Sequence, residues 1–111
     1  MPRKHRLTRA DLASLPQPRR THGEFLSLSI SEGPFTEPRF ACVVSKKVSL
    51  RAVDRNRVKR RVRASLAPII PLITEPRAFV LVAKAKSRDA TYQEIDQDVR
   101  RVIESALRRS L

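Results

Sequence analysis

Basic side chains crowd into residues 54–66 in a pattern that could hold a polyanion. Five arginines and one lysine fall within this short segment. Guanidinium groups form paired hydrogen bonds with phosphate oxygens, and an ammonium group supplies a point charge. The residue types therefore predict phosphate binding. The polar candidates are Asn56, Arg57, Lys59, Arg60, Arg61 and Arg63.

The same segment carries an apolar stripe, which indicates a helix and not an unstructured basic tail. Val58, Val62, Leu66 and Ile69 recur at i, i+4, i+8 and i+11, the spacing of one helical face. Asp54 is the predicted N-cap. Like charges four residues apart repel in the free protein, and bound nucleic acid would relieve that repulsion. A solvated basic face without a ligand is the alternative that this segment leaves open.

Composition favours one folded domain that binds polyanions. The chain has 111 residues and a formal net charge of +13, so its binding should weaken steeply as salt rises. We expect a single domain over residues 1–111, with residues 1–6 as a basic arm, and charge alone does not say which polyanion it binds. No apolar run is long enough to span a bilayer, and no signal-peptide pattern follows the first residues. We therefore expect a cytoplasmic protein with no membrane partner.

The residues needed for a protein nuclease are not grouped in this sequence. His5 and His22 lie far apart, and Asp96 and Asp98 are two residues apart on a predicted helix, so they cannot share one face. Cys42 is the only cysteine, and its place in an apolar strand pattern indicates a core residue. We predict no catalytic residue and no metal site in this chain.

The remaining segments predict a small α/β, or α+β, sandwich. A helix should begin at a capping box of Thr8 and Asp11 and end at Pro16 and Pro18. A second capping box, Thr91 with Glu94, should open the last helix. Residues 24–30, 39–45 and 78–83 should be strands, the second of them central because both its faces are apolar. Residues 19–22 should form a turn, and residues 31–38 a hairpin-like connection.

Two linked motifs carry a resemblance to a known family. Ser45-Lys46-Lys47 ends a predicted strand, and Arg55-Asn56-Arg57 follows on the basic helix. This pair resembles the protein component of bacterial ribonuclease P. The resemblance implies a fold of the ribosomal protein S5 domain 2-like type: a small mixed sheet with a left-handed βαβ crossover, packed against helices. General topology rules favour the right-handed form.

The resemblance also implies a function. Proteins of this family help a catalytic RNA to remove the 5′ leader from precursor tRNA. The implied partners are ribonuclease P RNA and precursor tRNA, with one protein monomer per RNA. The protein alone would bind no cofactor, and the RNA subunit would hold the catalytic Mg²⁺. The implied RNA-binding residues are Lys46, Lys47, Arg55, Asn56, Arg57, Lys59, Arg60, Arg61 and Arg63.

Two departures from the family pattern affect these expectations. Family members usually have phenylalanines on the first helix that stack on the leader, whereas Leu12 and Pro16 stand there in this chain. A leader cleft would then rely on Leu12, Phe25 and Phe40, although core packing is the simpler interpretation of both phenylalanines. The linker over residues 48–53 is also one residue longer than usual and lacks a glycine.

Two alternatives belong to other classes of protein. A ribosomal protein or general RNA chaperone would have the same composition and no associated nuclease. A helix-turn-helix DNA-binding protein would need a short helix just before the basic one, where residues 39–45 instead predict a strand.

Overall fold

The computed structural model describes residues 6–8, 11–12 and 18–109, and within these ranges four strands form one mixed sheet. The strands are β1 (Arg19–His22), β2 (Leu26–Ser31), β3 (Arg39–Val43) and β4 (Ala78–Ala83). Their spatial order is β1-β2-β4-β3. β2 pairs antiparallel with β1 and with β4, whereas β3 and β4 are parallel. The mixed sheet of the predicted fold class is confirmed.

Two long helices complete the second layer. They are α1 (Ala52–Leu66) and α2 (Tyr92–Arg109), and short 3-10 turns cover Ile70–Leu72 and Ala85–Asp89. β3, α1 and β4 form the predicted βαβ unit, whose left-handed sense stays a prediction. In the described part of the chain no helix is long and apolar enough to cross a membrane.

The main core lies between the sheet and the two helices. Alternate strand residues point to one face, so Leu28, Phe40 and Leu81 all face the helices. Phe40 and Phe79 stack there with ring centroids 5.2 Å apart. The helices contribute Val58 of α1 and the apolar face of α2. Burial of this apolar surface fixes α1 against the sheet.

β3 is an edge strand, which corrects the prediction of a central one. Its two faces are apolar for a different reason: Phe40 faces the helices, and Ala41 packs into a second cluster with Leu7 and Val80 on the opposite face. The N-terminal segment also covers the outer edge of β3. The Leu7 amide donates a hydrogen bond of 2.8 Å to the Phe40 carbonyl.

Two predicted connections are also wrong. Residues 19–22 form β1 instead of a turn, because their backbone pairs with the neighbouring strand β2. The four residues are polar, so no apolar pattern in the sequence indicates this strand. Residues 31–38 do not close a hairpin, because β4 lies between β2 and β3. This segment is a crossover between two strands that do not touch.

Both predicted capping boxes are confirmed. The amide of Thr8 donates to Asp11 Oδ2 at 2.9 Å, and the amide of Asp11 donates to Thr8 Oγ1 at 3.1 Å. Thr91 and Glu94 exchange the same pair of bonds at 2.9 and 3.1 Å. Of the helix predicted between this first box and Pro16 with Pro18, residues 11 and 12 are helical. Residues 13–17 lie outside the described residues, as do residues 1–5 of the basic arm.

Asp98 on α2 fixes the entry to β2. Its carboxylate is 1% exposed and accepts three backbone N–H bonds, from Glu24 at 3.0 Å, Phe25 at 2.9 Å and Leu26 at 3.0 Å. Gly23 lies against it so closely that an added Cβ would stand 2.5 Å from Asp98 Oδ2. This carboxylate therefore joins the last helix to the sheet.

We expect Asp98→Asn to lower the free energy of unfolding by about 3 kcal/mol, because hydrogen bonds to a charged group are lost and an amide N–H₂ then faces backbone donors. Gly23→Ala should also destabilise, through its clash with the carboxylate. Urea unfolding monitored by circular dichroism measures both. Gln97→Ala, exposed on the same helix, is the control. Equal midpoints for Asp98→Asn and the control would contradict this account.

Candidate nucleic-acid interface

α1 presents a buried face and a cationic face, as the sequence predicts. Val58, Val62 and Leu66 are fully or almost fully buried against the sheet and α2. The helix begins at Ala52, two residues before the predicted N-cap, and Arg51 precedes it without a side-chain cap. Asp54 therefore lies inside the first turn, and the N-cap prediction is wrong.

Asp54 is instead a buried anchor for three segments. Its carboxylate is 6% exposed and accepts a 2.8 Å hydrogen bond from Ser49 Oγ in the preceding linker. Arg57 Nη2 lies 3.4 Å from Oδ1, and Arg88 Nε lies 3.8 Å from Oδ2. The Ser49 hydrogen bond, helped by the neighbouring arginines, lowers the pKa of this carboxyl. Asp54 therefore stays ionised at neutral pH, between two guanidinium groups.

Serine side chains build the long linker between β3 and α1 without a glycine. Ser45 Oγ accepts a bond from the Lys47 amide at 3.2 Å, and Ser49 Oγ accepts one from the Arg51 amide at 3.1 Å. Val48 is buried beneath this turn. No described residue has a positive φ angle, so the turn needs none of the conformations that favour glycine.

Three arginines of the candidate set are tethered to backbone carbonyls. Arg55 Nη1 donates to the Ser49 carbonyl at 2.9 Å. Arg57 Nη2 donates to the Arg88 carbonyl at 3.3 Å, and Arg61 Nη1 donates to the Ala90 carbonyl at 2.7 Å. The Arg55 bond ties α1 to the linker before it, and the other two bonds hold one edge of α1 against the 3-10 turn before α2. Sequence spacing could not reveal the bonds of Arg57 and Arg61, because their acceptors are about thirty residues away along the chain.

The side chains of the other candidates make no hydrogen bond or ion pair among the described residues, and these candidates form what we call the open set. Lys46, Lys47, Asn56 and Arg60 are exposed, whereas Lys59 and Arg63 are half-buried. The open set consists of Lys46, Lys47, Asn56, Lys59, Arg60 and Arg63.

Lys59 and Arg63 point toward β3. Their charges act on the Cys42 thiol, although burial outweighs them and raises the pKa of Cys42 to about 11. The thiol is therefore protonated at neutral pH, in keeping with the predicted core role. Lys59 and Arg63 therefore lie near β3, the strand that leads into Lys46 and Lys47.

The structure removes two of the three residues predicted for a leader cleft. Phe40 is fully buried and stacked on Phe79, and Phe25 belongs to the same core. Leu12 packs instead on the opposite face of the sheet, beside Phe35 and Val82 at the second cluster. Phe35 is a half-buried aromatic that the sequence did not single out, because it lies in an irregular connection.

The acidic residues near the interface are already engaged. Asp96 accepts from Ser65 Oγ at 2.5 Å and from Arg100 Nε at 3.1 Å, and the Ser65 bond lowers its pKa. Asp98 faces away into the core. Across the described ranges no three His, Cys, Asp or Glu side chains are grouped as metal ligands. His22 is exposed on β1.

The fold and the site define a small α/β protein in which a mixed sheet positions a cationic helix, with part of the helix charge tethered and part open. The family model of ribonuclease P matches residues 1–107. The chain belongs to this family.

Curated relatives from several bacteria share this similarity. A ribonuclease P protein component from Picosynechococcus is 28% identical over 105 residues, which cover 93% of this chain and 90% of the relative. One from Thermus scotoductus is 41% identical over 93 residues, covering 83% of this chain and 53% of the relative. The chain thus spans nearly all of the first relative and about half of the second.

Solved structures agree with the fold. The RNase P protein from Staphylococcus aureus superposes with a TM-score of 0.81 at 21% identity, covering 92% of this chain and 94% of that one. The RNase P protein from Thermotoga maritima gives a TM-score of 0.69 at 16% identity, covering 79% and 83%. The predicted fold class is confirmed by this likeness.

We expect Arg60→Ala to weaken RNA binding alone, whereas Arg61→Ala should also lower stability. Arg60 is open, so its loss should weaken affinity for a folded RNA and reduce the magnitude of the salt slope by about one contact, with unchanged unfolding. Loss of Arg61 removes the bond to Ala90 and should cost about 1 kcal/mol of unfolding free energy. Filter binding across salt concentrations and urea unfolding measure the two effects. An unchanged salt slope for Arg60→Ala would remove that residue from the interface.

Proposed function

We propose that this chain is the protein subunit of ribonuclease P, which binds the catalytic RNA and precursor tRNA and assists removal of the 5′ leader. The observation that carries the proposal is the linked pair Ser45-Lys46-Lys47 and Arg55-Asn56-Arg57 on one βαβ unit, in a chain whose family match spans residues 1–107. Each motif alone is common among basic proteins. Their combination on this fold is specific.

The open set supports contact with the catalytic RNA. Three of its cations, Lys59, Arg60 and Arg63, project from a helix that the core holds in place, and Lys46 and Lys47 lie in the linker before it. Little backbone ordering would therefore be needed on binding. Guanidinium and ammonium groups at fixed positions match the phosphates of a folded RNA without reading its sequence. Asn56 adds an amide that can donate and accept hydrogen bonds.

The net charge supports a second role between two RNA molecules. The catalytic RNA and the precursor are both polyanions that repel each other on approach. A protein of formal net charge +13 between them would lower this repulsion and the concentration of Mg²⁺ needed to overcome it.

We place the chemical step, and the Mg²⁺ that it uses, in the RNA subunit. The carboxylates of Asp54, Asp96 and Asp98 already accept hydrogen bonds from serine hydroxyls, an arginine or backbone amides, so none is an unengaged metal ligand. In this proposal the protein positions substrate and screens charge. It acts as one monomer per RNA in the bacterial cytoplasm, where precursor tRNA is processed.

The leader would lie on the face of the sheet that carries Leu12, Phe35 and Val82. This surface is apolar and half-exposed, and the serines of β2 lie beside it on the same face. With Phe25 and Phe40 buried, Phe35 is the aromatic residue closest to this surface.

A general RNA chaperone or ribosomal protein has the same composition. The match to the ribonuclease P family over residues 1–107 disfavours this alternative.

Added to the ribonuclease P RNA of its source organism, the protein should restore cleavage of precursor tRNA at Mg²⁺ concentrations where the RNA alone is slow. The double variant Lys59→Ala/Arg60→Ala should restore less, because two open cations are lost. Leu72→Ala, exposed and outside the open set, should match the unmodified protein. Single-turnover cleavage across a Mg²⁺ series measures this. No restoration by the unmodified protein would refute the proposed function.

A further inference from the structure

An open groove lies between α1 and the start of α2, on the tethered edge of the basic helix. Its volume is about 370 Å³, in the range of sites for single small molecules. Its lining includes Arg57, Arg61, Arg88, Asp89, Thr91 and Tyr92. The implied RNA-binding residues include only Arg57 and Arg61 of these, so the rest of the lining lies outside the implied interface.

The arginines in the groove are held in place by the protein and keep further N–H donors for a ligand. A guanidinium carries five N–H donors. Arg57 and Arg61 each donate to one backbone carbonyl, and Arg88 pairs with Asp54 through Nε at 3.8 Å. Three guanidinium charges face two carboxylates, Asp89 in the lining and Asp54 beneath it. One net positive charge remains, which suits a single phosphodiester better than a polyphosphate.

Tyr92 supplies an apolar platform beside these charges. Its side chain is 43% exposed. It is the only tyrosine in the chain, which has no tryptophan. Phe25, Phe40 and Phe79 are buried in the core. The most exposed Phe or Tyr ring of the protein therefore borders a groove lined by three arginines. Base–aromatic stacking beside phosphate-binding arginines is how proteins hold single-stranded nucleic acid.

We propose that this groove binds one unpaired nucleotide of an RNA chain, with the base stacked on Tyr92 and the phosphodiester on the guanidinium groups of Arg61 and Arg88. Duplex RNA would not fit this role, because its base faces are stacked inside the helix. The nucleotide comes from the catalytic RNA or from the precursor leader, which present the same chemistry. The inference rests on the proposed function and adds a second RNA contact, separate from the open set.

Tyr92→Ala should weaken RNA affinity about 5-fold or more, whereas Tyr92→Phe, which keeps the ring, should stay within about twofold. Tyr92→Ala should leave the salt slope unchanged, and Arg88→Ala should reduce its magnitude by about one. Gln93→Ala, the exposed neighbour outside the groove, is the control. Thermal melts check that each variant is folded.

Two arms identify the source of the nucleotide. A loss seen with ribonuclease P RNA alone assigns it to the catalytic RNA. A loss seen only when the assembled holoenzyme binds precursor tRNA, and not mature tRNA, assigns it to the leader. If the unmodified protein binds both RNAs and Tyr92→Ala binds as tightly in both arms, the groove proposal is overturned while the proposed function stands. Failure of the unmodified protein to bind RNA would overturn both.

Tyrosine fluorescence gives an independent readout, because all such emission comes from Tyr92. Stacking on a base should quench the emission as ribonuclease P RNA or precursor tRNA is added. A parallel titration of free N-acetyltyrosinamide with the same RNA corrects for the light that the RNA absorbs. Unchanged corrected emission at saturating RNA would contradict stacking.

Discussion

The Asp54 carboxylate is the interaction on which the geometry of the interface depends. It is the only acid in α1, and it lies buried at the junction of the linker, the first helical turn and the 3-10 turn before α2. Its bond from Ser49 fixes how β3 leads into the helix, and its contacts with Arg57 and Arg88 join the helix to the next segment. Without it, two guanidinium groups would lie close together with no neutralising charge.

This arrangement divides the basic residues of the interface into two groups with different roles, the tethered arginines and the open set. The tethered arginines use part of their hydrogen-bonding capacity inside the protein, and they hold the helix edge against its neighbour. The open set keeps its charge for a partner. Repulsion along the helix is partly offset by Asp54 and by the carbonyl acceptors, so the free protein can keep its cations in place before RNA arrives.

Local periodicity explains what the sequence could predict. The stripe of Val58, Val62 and Leu66 predicts the buried face of α1, and both capping boxes follow from residues three apart. Pairing between strands explains what it could not. The edge position of β3 depends on β4 entering between β2 and β3, and β1 depends on a partner strand, since its own residues are polar. The N-cap prediction failed because Asp54 is retained for tertiary contacts and does not cap the helix.

The residue types of the candidate site could be predicted from the sequence. Which of them are tethered inside the protein and which are open to a partner could not. Nothing near Arg61 in the sequence indicates the Ala90 carbonyl, and nothing near Tyr92 indicates the arginines of α1. Phe40 illustrates the reverse case, since an aromatic residue in a strand fits a core and a stacking surface equally well until its face is known. Phe40 is buried and stacked on Phe79, so it is a core residue.

Asp54→Asn tests most directly whether geometry, and not net charge, determines RNA binding. The substitution removes one negative charge and so raises the formal net charge of +13 by one. General attraction to a polyanion would then strengthen binding. Our account predicts weaker binding to ribonuclease P RNA at fixed salt, in a protein that a thermal melt shows to be folded, because Arg57, Arg88 and the linker lose their anchor. Equal or tighter binding would contradict it.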